Sequence, residues 1–134
     1  MFGHHAPLIH TMVLMSAADR NMTDAELSTI GDIITHLPVF ATFDRNSLSV
    51  VAGQCVDLLD DAHGLNNVLT AIVDELPEKL SETAYALACD VVASDGQASQ
   101  EELRLLEILR ERLNIDRLVA AAIERGARAR FIRS

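Results

Sequence analysis

Four carboxylates stand at matching places in two similar stretches of the chain. Ala17-Ala18-Asp19-Arg20-Asn21-Met22-Thr23-Asp24-Ala25-Glu26-Leu27 aligns without a gap against Ala93-Ser94-Asp95-Gly96-Gln97-Ala98-Ser99-Gln100-Glu101-Glu102-Leu103. Asp19 thus pairs with Asp95, Thr23 with Ser99 and Glu26 with Glu102. In each copy an Asp sits in a turn, and a Glu seven positions on falls in the first turn of a helix. Hard oxygens placed so, together with turn carbonyls, suit a divalent cation such as Ca²⁺ or Mg²⁺, although the spacing is not that of an EF-hand. If the two copies pack about a pseudo-two-fold axis, Asp19, Glu26, Asp95 and Glu102 converge on one acidic surface. A structural reading of the same residues stands beside this one. Thr23 with Glu26 and Ser99 with Glu102 are capping boxes, worth about 1 kcal/mol each, and Asp19 and Asp95 can shape their turns through side-chain to backbone bonds.

The elements that must position these groups read as helices throughout. Pro7 is placed to open a first helix in which Leu8, Ile9, Met12, Val13 and Met15 recur at helical spacing up to Asp19. Thr23 caps a second, with Leu27, Ile30, Ile33, Ile34 and Leu37 as its buried stripe before Pro38; the equivalent stripe of the second copy is Leu103, Leu106, Leu109 and Leu113. Between the copies, Asp44 or Asn46 caps a helix carrying Leu48, Val51, Cys55, Leu58 and Leu59, and His63-Gly64 stops it, Gly64 suiting a left-handed C′ position. A shorter helix runs from about Asn66 to Leu76, a fifth from roughly Glu78 into Asp95-Gly96, and Asp116 caps a last one to Gly126. The expectation is an all-α protein: about seven helices in a single compact bundle, one domain over residues 1–134. Its repeat-like halves, about 6–37 and 78–113, are helix-turn-helix units joined by a helical insert.

Composition supports this and narrows the function. Nearly half the residues are apolar, aromatics are few and Trp is absent, so the core falls to Leu, Ile, Val, Ala and Met. The net charge of -9 is uneven: up to Ala98 only Arg20, Arg45 and Lys79 oppose 14 acidic residues, whereas the segment from Ser99 carries eight Arg. An acidic body argues against nucleic acid as a partner, since backbone binding needs a positive surface. It leaves cations and basic partners open. The Arg-rich tail reads as cations at a helix C-terminus, with an anionic lipid or acidic partner as the alternative. Asp90, among apolar neighbours on the fifth helix, either faces solvent or adds charge near Asp95.

Cys55 and Cys89 read as reduced, buried small hydrophobes. His4, His5 and His10 suggest metal binding near the N-terminus, but the two adjacent His at the chain end read first as disordered or solvated. There is no basic, apolar leader and no apolar run long enough to span a bilayer, so the expected location is cytoplasmic. Without a P-loop, G-x-S-x-G, G-x-G-x-x-G or C-x-x-C, and with no nucleophile–base pair around His36 or His63, an enzyme is the least favoured class.

The segment Ala93-Ser94-Asp95-Gly96-Gln97-Ala98-Ser99-Gln100-Glu101-Glu102-Leu103, followed by Leu113-Asn114-Ile115 and paired with its degenerate first copy, resembles the tellurite-resistance TerB family over nearly the whole chain. The resemblance implies a non-enzymatic bacterial domain with an acidic, cation-binding surface, Asp95 and Glu102 matching one motif and Asp19 and Glu26 the other. Ca²⁺, Mg²⁺ and Zn²⁺ are the candidate cations. It also implies a role in responses to tellurite and other stresses, and protein partners that include membrane-linked complexes; a related module occurs in a membrane-anchored DnaJ-type co-chaperone. The alternative is a metal-free interaction module that docks a basic partner or chaperone complex through its acidic face. Arg20 departs from the family pattern, which has Gly after the Asp, and its charge beside Asp19 weakens the first half-site. A homodimer is open, with the apolar face of the last helix as its first candidate contact.

Overall fold

A computed structural model of the chain describes residues 3–17, 22–94, 96 and 98–134. Among these residues the order is α1 (His5–Ser16), α2 (Asp24–Thr35), α3 (Leu48–Leu59), α4 (Gly64–Glu75), α5 (Ser81–Ser94), α6 (Gln100–Arg112) and α7 (Arg117–Arg130), with 3-10 turns at Pro38–Phe40, Arg45–Ser47 and Glu78–Leu80. No strand occurs among them. The all-α bundle expected from the sequence is therefore the fold.

Helix α1 is apolar on nearly every side: Pro7 through Ser16 are all buried. A helix of that kind belongs in the middle of a protein, and the packing puts it there. It lies against α5, its counterpart in the second copy, and also against α3 and α4. Helix α5, buried through Ala84, Tyr85, Leu87, Ala88, Cys89, Val91 and Val92, is covered in turn by α7. The second helices follow the same symmetry, since α2 touches both α1 and α5 while α6 touches both α5 and α1. The duplicated units thus pack through their first helices, and the α3–α4 insert and α7 close the two outer sides.

Local signals account for most boundaries. Asp116 caps α7, accepting from Leu118 N at 3.0 Å and Val119 N at 3.4 Å. Asp44 accepts from Asn46 N at 3.0 Å and so caps the 3-10 turn that feeds α3, rather than α3 itself. Helix α7 continues past Gly126 to Arg130, and α5 begins at Ser81, one 3-10 turn later than its pattern suggests.

Gly64 requires a correction. It is not a left-handed C′ residue but the first residue of α4. Glycine is needed there because a Cβ would lie 2.5 Å from the carbonyl oxygens of Leu58 and Leu59. The left-handed helix end occurs instead at Asn114 (φ 57°) after α6. There Asn114 N donates to Glu111 O and Ile115 N to Arg110 O, each at 3.1 Å, the paired bonds of a Schellman motif. Ile115 is buried beneath it. The contrast between two glycines is testable by chemical denaturation. Gly64→Ala forces backbone apart and is expected to cost about 1–3 kcal/mol. Gly53→Ala, in α3 with nothing near its Cβ position, is expected to stabilise by about 0.5–1 kcal/mol.

Burial also corrects three side chains. Leu58 on α3 and Leu103 on α6 are 46% and 50% exposed, so neither belongs to its helix's core stripe; Leu105 takes the place beside Leu106 and Leu109. His5 is buried rather than solvated, its Nε2 2.9 Å from Val39 O and its ring stacked on Phe40 and edge-on to Phe43.

Candidate functional site

In the second copy α5 ends at Ser94, whose hydroxyl donates to Val91 O at 2.7 Å. The chain turns at Gly96 (φ 81°), a conformation that L side chains rarely adopt. It re-enters helix at Ser99. The Ser99 hydroxyl accepts from Glu102 N at 3.1 Å, and Ser99 N donates to Glu102 Oε1 at 2.9 Å. The first copy repeats the device: Glu26 N donates to Thr23 Oγ1 at 3.1 Å and Thr23 N to Glu26 Oε1 at 2.9 Å. Both capping boxes are therefore real.

The copies differ in burial. Glu26 is half-buried and its box bonds are exposed, whereas Glu102 is only 7% exposed. A carboxylate taken out of water needs partners for its oxygens. Glu102 Oε1 has Ser99 N, while Oε2, which has no bond among the described residues, is not one of their buried unpartnered polar atoms and so reaches solvent. Asp19 and Asp95 lie outside the described residues, as does Arg20. The described residues contain no cluster of three or more His, Cys, Asp or Glu side chains with metal-binding geometry. They do bring the flanks of the two copies together. A groove of about 610 Å³ is lined by Ala17 and Met22 from either side of the first turn and by Glu101, Arg104 and Leu105 from the first turns of α6.

Several other ionisable groups are held by packing. Asp90, largely buried, is paired with Arg130 from the end of α7, a partner forty positions on that no local pattern indicates. The Tyr85 hydroxyl donates to Glu124 Oε2 at 2.6 Å. Burial, reinforced by the Glu124 carboxylate, raises its pKa and keeps it protonated. Burial likewise pushes the Cys55 and Cys89 thiols up to about 12; both cysteines are free and buried, matching their reading as small hydrophobes. Neither offers a thiolate at neutral pH.

His5 and His10 carry a pH prediction. Burial lowers both pKa values below 6.5 and outweighs the opposing backbone bonds and, for His10, the Glu75 charge. A base with a lowered folded pKa is protonated first in the unfolded chain. Stability from this source is therefore intact above about pH 6.5 and falls as the pH drops below it. Melting curves between pH 7.5 and 5 are expected to show the decline, and His10→Gln to reduce it.

The architecture defines a class: an all-helical, internally duplicated bundle whose repeats each open their second helix with a capping box. The family model described as "Tellurite resistance protein TerB" matches residues 5–125, and the chain belongs to that family. No curated protein and no solved structure matches it. No helix of the described residues is long and apolar enough to cross a membrane.

Proposed function

We propose that this TerB-family protein acts without catalysis, as a divalent-cation-binding module in tellurite resistance or a related stress response. Asp95 and Glu102 form the principal half-site, and Asp19 and Glu26 the weaker one beside Arg20. The observation that carries this reading is Glu102, a carboxylate held to 7% exposure whose Oε1 is bonded within the cap while Oε2 stays open to solvent, and so to an incoming ion. A cap alone does not need that burial: Glu26 builds the same box while half-exposed. An oxygen held at the helix start beside an Asp-Gly turn suits a hard cation, and the groove shared by Met22 and Glu101 supports the approach of the two copies.

Titration of Ca²⁺, Mg²⁺ and Zn²⁺ while following the melting temperature tests the proposal. A rise in the wild type that is lost in Asp95→Asn/Glu102→Gln supports it; no rise, or an equal rise in the variant, overturns it. Pull-downs with and without EDTA separate it from a metal-free docking module, whose partner binding weakens with salt and ignores the chelator.

A further inference from the structure

A second concavity opens between α5, α6 and the end of α7, beside Gly96, with a volume of about 850 Å³. Its floor and walls are mainly apolar, from Val92, Leu103, Leu106, Ala127, Phe131 and Ile132. Phe131 is half-buried, while Leu103 and Ile132 are 50% and 81% exposed, so the apolar lining reaches the surface. Size and lining fall within the range of small-ligand pockets, about 300–1,000 Å³ and chiefly apolar with a few polar groups.

The charge around it is unlike that of the rest of the molecule. In a chain with 20 acidic and 11 basic residues, Arg110, Arg128 and Arg133 all line this one groove. Among the described residues two carboxylates also line it, and both are engaged. Glu107 is paired with Arg104 at 2.8 Å, and Glu124 accepts from the Tyr85 hydroxyl at 2.6 Å. Arg110 donates to Ile115 O at 3.3 Å and lies 3.8 Å from Glu111. Arg128 and Arg133 are exposed and have no ion pair among the described residues. An apolar trough edged by unpaired guanidiniums calls for a ligand with an apolar body and one anionic end, the planar carboxylate being the group that a guanidinium grips in two places.

We propose that the α5–α6–α7 groove binds a single-chain fatty acid, its alkyl chain along Val92, Leu106 and Phe131 and its carboxylate at Arg128 and Arg133. The groove adjoins the Gly96 turn, since Ala93, Gly96 and Ala98 also line it, but fatty-acid binding through Arg128 and Arg133 requires no cation.

Isothermal titration calorimetry with laurate, below the concentration at which it aggregates, tests this. The expected result is one site per chain. Dodecyltrimethylammonium, with the same chain and the opposite charge, should bind at least about tenfold more weakly, and Arg128→Gln/Arg133→Gln should weaken laurate by about tenfold or more. Both arginines are exposed, so the double variant should melt as the wild type does. Amide shift changes should fall on Leu103, Leu106, Ala127 and Phe131. Absence of laurate binding, equal binding of the cationic amphiphile, an unweakened double variant, or shifts confined to another surface such as Val50 and Leu58 of α3 would each overturn the proposal.

Discussion

Saturating Ca²⁺ is expected to raise the melting temperature of the wild-type chain by roughly 10 °C. The figure follows from linkage: a ligand held only by the folded state contributes about 2.7 kcal/mol at 100 times its Kd. A chain of 134 residues has an unfolding entropy near 0.3 kcal/mol/K, on the order of 2 cal/mol/K per residue. The variant Asp95→Asn/Glu102→Gln is a clean control because Gln at the third helical position can still complete a capping box with Ser99. Its melting temperature without cation should therefore stay close to the wild type's, while the cation-induced rise disappears. Ser99→Ala makes the opposite cut, since it removes the hydroxyl that accepts from Glu102 N and leaves the carboxylates in place. It should lower stability by about 1 kcal/mol. A cation-induced rise that survives in the double variant would assign any binding to some other part of the surface.

The second large effect separates two leucines of α6 that look alike in the sequence. Leu109 is fully buried and Leu103 is 50% exposed. Leu109→Ala leaves a cavity in a core drawn from all seven helices and should cost about 2–5 kcal/mol. Leu103→Ala removes a side chain that reaches solvent and should change stability by no more than about 0.5 kcal/mol. Denaturant midpoints of the two variants, taken with unchanged slopes, measure the difference. Comparable losses would mean that Leu103 is covered in solution.

These leucines show where pattern reading stops. A 3.6-residue period says that α6 has an apolar face, and it picks out Leu106 and Leu109 correctly. It does not say where that face is centred. The centre is set by α5 and α4, against which α6 packs, and they favour Leu105 over Leu103. The same holds for Leu58 on α3. His5 looks like part of a solvated chain end because nothing near it in sequence shows Phe40, Phe43 and the Val39 carbonyl waiting. Asp90 looks anomalous until Arg130 arrives from the far end of the chain.

Gly64 and Asn114 teach a related lesson. Either residue type can end a helix in the left-handed region. Which one does so depends on whether the backbone has room, and at Gly64 the preceding helix end presses too close.

The sequence by itself determined the helical class, the duplication, the two capping boxes and the family, because each depends on residues within a turn or two of one another. Only the tertiary structure decided which copy buries its glutamate. It also decided which leucines face the core and where unpaired arginines meet an apolar groove. Those outcomes depend on helices far apart in sequence, whose approach is set by side-chain packing rather than by any local signal.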